Sequence, residues 1–138
     1  MPVQFRILPE INLTYVEYTG RMVVQESVDV FRAYLRHPDF RPGQKHLIDL
    51  SGVTDWERDY AEIMSMQAMT AEGLYDPAHP TVVVAVAPTK MTRTVANLVN
   101  RTWDRVNGVR FLAARSEEEA LELLGLPARV HSEIFGTA

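Results

Sequence analysis

Polar residues cluster around the end of a short apolar segment, Lys45 to Leu50, and their side chains are the first candidates for chemistry. They are Asp49, Ser51, Thr54, Asp55 and Trp56. Asp49 lies inside the apolar segment, and burial raises the pKa of a carboxyl group towards values suited to acid–base chemistry. Catalysis would need a second group, which the sequence does not locate. The alternative is structural: Asp49 accepts hydrogen bonds from loop amides and orders the strand end.

Asp55 and Trp56 allow two interpretations. An exposed tryptophan in this loop would anchor a binding partner, because large aromatic side chains dominate many interfaces. In the other interpretation, Asp55 caps the second predicted helix and Trp56 folds back onto its first turns.

A second group of polar residues begins a predicted helix after Pro88. Its members are Thr89, Lys90 and Arg93. Free amides and the helix dipole favour an anion at such a position, so a phosphate or carboxylate site is one hypothesis. The alternative is that Thr89 is an ordinary N-cap and the two cations lie on a solvated face. A third loop, from Arg115 to Glu119, has the spacing of a capping box.

Motifs for metals, cofactors and nucleophilic catalysis are missing from the sequence. There is no cysteine, and the four histidines (His37, His46, His79 and His131) are far apart with no metal-ligand spacing. A nucleophile elbow, a phosphate-binding glycine loop and a dinucleotide fingerprint are all absent. The sequence therefore predicts no metal, no cofactor and no catalytic residue.

Three methionines lie on the second predicted helix. They are Met64, Met66 and Met69. Because methionine adapts its shape, they would line a hydrophobic pocket or a dimer face. Core filling is the alternative, since Met64 lies on the predicted apolar stripe.

Composition is that of an ordinary globular protein. The chain has 138 residues, 46% of them hydrophobic and 23% charged, with a formal net charge of -4. This length and balance predict one domain over residues 1–127 with a C-terminal tail at 128–138. The acidic balance argues against nucleic acid as a partner. Without a signal-like N-terminus or an apolar run long enough to span a bilayer, we expect no membrane insertion and a cytoplasmic location.

Strand and helix patterns alternate along the chain. Strands are predicted at 3–8, 13–18, 45–50, 81–87 and 109–113, and helices at 23–36, about 58–75, about 89–106 and 116–125. Thr19-Gly20 is expected to close an opening hairpin, and Ser51-Gly52 to break the third strand. Alternation of this kind predicts parallel strands joined by crossovers, with antiparallel pairing from the hairpin at one side.

This order resembles the STAS fold, and more closely the bacterial SpoIIAA-like family, which is related in fold to CRAL-TRIO domains. The matching segments are Tyr18 to Gly20, Pro38 to Gly43, Asp49 to Val53, Val86 to Pro88, and Glu119 to Pro127. The resemblance covers nearly the whole chain. It implies an α/β fold of order β-β-α-β-α-β-α-β-α, with a mixed sheet and helices packed on it.

One segment departs from the anti-sigma-factor-antagonist branch of that family. Members carry an Asp-Ser-Ser-Gly-like segment at the start of the second helix, where a partner kinase phosphorylates a serine. Here Asp55-Trp56-Glu57-Arg58-Asp59 stands in its place, without a hydroxyl. The sigma-factor role is therefore not carried over. The leading hypothesis is a non-enzymatic regulatory or protein-binding domain, with a carrier of a hydrophobic or anionic ligand as the alternative; an enzyme is least favoured, and homodimerisation is expected of a small α/β domain.

Overall fold

A five-stranded mixed sheet forms the centre of the molecule. The computed structural model describes residues 3–74, 76–103 and 108–136. The strands are β1 (Val3–Leu8), β2 (Leu13–Met22), β3 (Lys45–Trp56), β4 (Thr81–Val86) and β5 (Val109–Ala114). They lie in sequential order across the sheet, with β1 antiparallel to β2 and all other pairs parallel. The predicted strand and helix order is confirmed.

Five helices cover the two faces of this sheet. They are α1 (Val24–Arg36), α2 (Tyr60–Leu74), α3 (Lys90–Trp103), α4 (Glu117–Leu124) and α5 (His131–Phe135), with 3-10 turns at Pro9–Ile11 and Ala128–Val130. The helices α1 to α3 connect successive parallel strands, and right-handed crossovers in one direction place them on the same face. The helices α4 and α5 pack on the opposite face, so each face has its own apolar core.

The prediction that β3 ends at Ser51-Gly52 was wrong, as was the end of β2 at Thr19-Gly20. The register with β2 shifts between the pairs Glu17–Asp49 and Thr19–Gly52, and pairing then continues to Met22 and Trp56. A bulge therefore stands where a break was expected. Gly52 suits this close approach, because a Cβ there would lie 3.1 Å from Thr19 Cγ2 and 3.3 Å from the Tyr18 carbonyl oxygen.

The second helix also differs from its prediction. The expected stripe was Tyr60, Met64, Ala68, Ala71 and Tyr75. Of these, Tyr60, Met64 and Ala68 are exposed and Ala71 is buried as predicted, and the buried stripe is formed by Ile63, Gln67, Ala71 and Leu74. Apolar residues lie on almost every side of α2, so the sequence period did not fix which side faces the core. The predicted ends of α2 at Tyr75 and of α3 at Val106 lie outside the described residues.

The last predicted helix and the C-terminal segment are both ordered. Ser116 caps α4 by accepting from the Glu119 amide at 3.1 Å, and Gly125 ends it in the left-handed region. The Glu119 carboxylate accepts from the Arg115 amide at 3.3 Å, one residue before the position that a capping box predicts. The sequence left the tail beyond 127 unassigned. It contains α5, which packs against the sheet through Ile134 in the second core.

Candidate functional site

A cavity lies between the sheet and the three helices α1 to α3. Its volume is about 120 Å³. Side chains from β1 to β5 form one wall and helix side chains form the other. The lining includes Tyr18, Ser27, His46, Gln67, Ala96 and Trp103. His46 reaches this face because side chains alternate along β3, where Ile48 and Leu50 follow it on the same side.

Two buried polar atoms of the cavity wall have no hydrogen-bond partner among the described residues. They are Nε2 of His46 and the side-chain oxygen, Oε1, of Gln67. Each residue is only 6% exposed. Buried polar atoms in folded proteins are nearly always paired, and leaving one unpaired costs about 1–3 kcal/mol. These two atoms therefore mark where a polar group of a ligand would be held.

The electrostatics of the cavity favour neutral groups. Burial lowers the pKa of His46 from its ordinary 6.5 to about 4, so the imidazole is uncharged at neutral pH. Burial raises the pKa of Tyr18, against the opposing effect of the hydrogen bond to Ser27 Oγ at 2.8 Å. No lysine, arginine, aspartate or glutamate belongs to the wall formed by the described residues.

Asp49, for which the sequence allowed either acid–base chemistry or a structural role, lies on the other face of the sheet. It is 7% exposed. Its Oδ1 accepts from the Ser51 amide at 2.9 Å, within the β3 bulge, and its Oδ2 accepts from the Tyr15 hydroxyl at 2.9 Å. This is the structural arrangement predicted as the alternative to catalysis. Ser51 and Thr54 are exposed on the continuing strand.

Asp55 and Trp56 end β3. Asp55 does not cap α2; it lies 3.3 Å from Arg21 Nε and 3.1 Å from an Arg58 guanidinium nitrogen. The Trp56 amide, Arg58 and Arg21 together lower the pKa of this carboxyl group, the amide contributing most. The cap is Asp59, which accepts from the Glu62 amide at 3.1 Å. The helix therefore begins two residues later than predicted.

The tryptophan of this corner is buried, so the hypothesis of an exposed anchor was wrong and the other interpretation, that Trp56 folds back onto the helix, is the arrangement found. Trp56 is 7% exposed. Its ring packs edge-on against Tyr60, the first residue of α2, with centroids 6.1 Å apart. Arg58 lies over its other side, with Cζ 4.7 Å from the ring centroid. The indole thus folds back onto the helix start.

The start of α3, where an anion site was one hypothesis, is a reciprocal cap, in line with the alternative that Thr89 is an N-cap. The Thr89 hydroxyl accepts from the Thr92 amide at 3.1 Å, and the Thr92 hydroxyl accepts from the Thr89 amide at 3.0 Å. Arg93 donates to the Pro88 carbonyl at 3.1 Å, and Lys90 is exposed. Two of the amides that an anion would use are therefore already paired. Thr89, Lys90 and Arg93 thus lie together at the start of α3, and none of them lines the cavity.

The methionines of α2 divide between surface and interior. Met66 lines the cavity, Met69 is half-buried, and Met64 is 40% exposed. Core filling by Met64 was therefore a wrong prediction. Sequence reasoning also missed His46 and Gln67 as site residues. Gln67 could have been noticed as a polar residue between Ile63 and Ala71 at helical spacing, and His46 as a polar residue alternating with Ile48 and Leu50.

Clusters of three or more acidic, histidine or cysteine side chains suited to a metal ion do not occur within the described ranges. In the same part of the chain, none of the helices has the length and apolar character needed to cross a membrane.

Comparison with known proteins identifies the fold. No protein-family model and no curated protein matches the chain. Four chains of solved structures match it. One is the anti-sigma factor antagonist SpoIIAA in its unphosphorylated form, with a TM-score of 0.53 and 10% sequence identity over 89% of this chain and 97% of that chain. The likeness confirms the predicted SpoIIAA-like α/β fold.

Proposed function

We propose that this protein is a non-enzymatic binding domain that holds a small, mostly apolar molecule in the cavity between its sheet and α1 to α3. The observation that carries the proposal is the pair of unpartnered polar atoms, His46 Nε2 and Gln67 Oε1, in a mostly apolar wall. Ligand pockets commonly combine apolar walls with a few convergent polar groups.

The free-energy cost of the two unpaired atoms favours a ligand site over a core with unsatisfied polar groups. Replacing either polar residue by an apolar one of similar size would remove the cost of an unpaired buried group. Retaining two such groups in one cavity makes sense where a bound molecule pairs with them. By contrast, charged side chains at the carboxyl end of β3 pair with one another, as in the Arg21–Asp55–Arg58 cluster.

Toluene is a suitable first probe because it is apolar and fits a cavity of this size. In amide-detected NMR titrations, we expect toluene to shift resonances of cavity residues in wild-type protein. Ala96 is 1% exposed and lines the cavity. The Ala96→Leu variant should abolish these shifts, because the larger side chain fills the space. Ala68→Leu, on the exposed side of α2, is the matched control and should bind as wild type does. Unchanged spectra of the wild-type protein at saturating toluene would refute the proposal.

A protein-binding role is the second candidate, supported by the exposed side of α2. Tyr60 is 54% exposed and Met64 is 40% exposed, four residues apart on the same side of the helix. Large apolar side chains exposed together are typical of interaction surfaces. A Tyr60→Asp, Met64→Asp variant should lose a partner that co-purifies stoichiometrically with wild type under native conditions. Leu123→Asp, at a residue of α4 that is also 40% exposed, is the control and should retain it.

A further inference from the structure

Cavity size limits the ligand to about one ring. A cavity of about 150 Å³ lined by aliphatic and aromatic side chains is known to hold benzene. The cavity here, at about 120 Å³, is of the same order. Long acyl chains and fused ring systems exceed this space, whereas a single six-membered ring suits it.

Charge excludes ionised ligands. The wall contains no charged side chain among the described residues, and the one titratable base, His46, is neutral at pH 7 because burial lowers its pKa to about 4. A carboxylate or ammonium group would lose its hydration without gaining a counterion, at a cost of several kcal/mol. The ligand that fits must therefore be neutral.

The two unpartnered atoms specify the polar group. Gln67 Oε1 can only accept a hydrogen bond, so the ligand must offer a donor. Neutral histidine carries its proton on one ring nitrogen, and in the tautomer protonated at Nε2 it donates. A hydroxyl group meets both demands, because its oxygen accepts while its hydrogen is donated.

We propose that the cavity selects a neutral, single-ring molecule bearing a hydroxyl group, such as a simple phenol, with the hydroxyl donating to Gln67 Oε1. This inference rests on the proposed function and adds the chemical class of the ligand. Trp103 lines the cavity, and its indole N–H donates to the Gln67 main-chain carbonyl at 3.4 Å. A ligand bound beside Gln67 should therefore change the fluorescence of Trp103.

Matched probes test the inference. Dissociation constants are measured for toluene, phenol and benzoate by NMR, and by tryptophan fluorescence of a Trp56→Phe variant, in which Trp103 alone emits, excited where phenol does not absorb. Phenol is expected to bind about tenfold more tightly than toluene, the effect of roughly one net hydrogen bond, and benzoate not measurably. Equal or weaker binding of phenol, or tighter binding of benzoate, overturns the inference while toluene binding leaves the proposed function standing. Failure of toluene and phenol alike overturns both.

A variant locates the hydroxyl. Gln67→Met keeps a similar length and removes the acceptor, so phenol affinity should fall by about tenfold or more while toluene affinity stays within a factor of about two. Retained toluene binding shows that the cavity is intact. If phenol keeps its advantage in Gln67→Met, the hydroxyl is not held by this atom and the inference fails.

Discussion

The hydroxyl of Tyr15 donates a hydrogen bond of 2.9 Å to Asp49 Oδ2 between the neighbouring strands β2 and β3. Burial, followed by this contact with Asp49, raises the pKa of Tyr15, so the hydroxyl stays protonated and can donate to the carboxylate. The other carboxylate oxygen accepts from the Ser51 amide in the bulge at 2.9 Å. Both oxygens of Asp49 therefore hold the sheet together, on the face opposite the cavity.

Removing this carboxylate should weaken the fold without affecting the cavity. Asp49→Ala leaves the Ser51 amide without this acceptor and the Tyr15 hydroxyl with only the longer contact to Glu17 Oε2 at 3.3 Å, so we expect the free energy of unfolding to fall by about 1–2 kcal/mol. Urea unfolding followed by circular dichroism measures this loss. Toluene affinity should remain that of the wild type. A variant as stable as wild type would show that these hydrogen bonds contribute nothing net.

Gln44 connects the loop after α1 to the sheet. It is 1% exposed, and its Oε1 accepts from the Tyr34 hydroxyl at 2.7 Å and from the Thr14 hydroxyl at 3.2 Å. Gln44→Leu leaves both hydroxyls without this acceptor, so we expect a loss of about 3 kcal/mol in the free energy of unfolding.

The control for Gln44 is Gln25→Leu on α1, where the side-chain amide bonds Asp29 at an exposed position. Its stability should change by less than about 0.5 kcal/mol. The double variant Tyr34→Phe, Gln44→Leu should lose less than the sum of the single variants by about 1 kcal/mol, because both remove the same hydrogen bond. Strict additivity would contradict the assigned contact.

The C-terminal segment contributes to the second core. Ile134 is 1% exposed, and the Arg6 guanidinium donates to the Glu133 carbonyl at 3.0 Å and to the Ile134 carbonyl. Ile134→Ala should cost about 2–4 kcal/mol, as for a large aliphatic residue in a packed core. Leu123→Ala, at a 40% exposed residue, should cost far less. Thermal unfolding compares the two, and equal midpoints would mean that the segment does not support the core.

Elements with one dominant local signal were predictable from sequence. The unbroken apolar run from Thr81 gave β4, and Ser116 with Gly125 gave the limits of α4. The extension of β2 and β3 was not predictable in this way, because Ser51-Gly52 carries turn residues and the bulge depends on pairing with a distant strand. The tail was also missed, since α5 has only five residues and little periodicity, and its tertiary contacts place it against the sheet.

The candidate site was harder to predict than the fold. Sequence reasoning weighed residues beyond the strand ends, where ligands of open α/β sheets usually bind, and these residues proved to be caps and exposed ion pairs. The cavity arises from the mutual placement of three helices on one face. His46 on β3 and Gln67 on α2 are far apart in the sequence and form no spacing motif, so only the assembled structure brings them into the lining of one cavity.

Stability should depend on pH through His46. Its ring packs edge-on to Tyr34 with centroids 5.1 Å apart, in a wall without charged groups among the described residues. Because burial lowers the native-state pKa from 6.5 to about 4, the unfolded chain binds a proton in this pH range that the native protein does not. The free energy of unfolding should therefore fall as pH falls from about 6.5 to about 4, by roughly 3 kcal/mol in all. Above that range the group contributes no slope.

Urea unfolding at a series of pH values measures this slope, and His46→Leu is the decisive variant because it removes the titrating group. The Trp56 amide and the His79 imidazole are the chief groups that hold the pKa values of Asp55 and Asp76, respectively, below their usual range, so protonation of these carboxylates acts at the more acidic end. Above pH 4, the free energy of unfolding should therefore change less steeply with pH in His46→Leu than in wild type, by the contribution of one proton. The same slope in both proteins would show that His46 is not the neutral, buried base on which the cavity's preference for uncharged ligands depends.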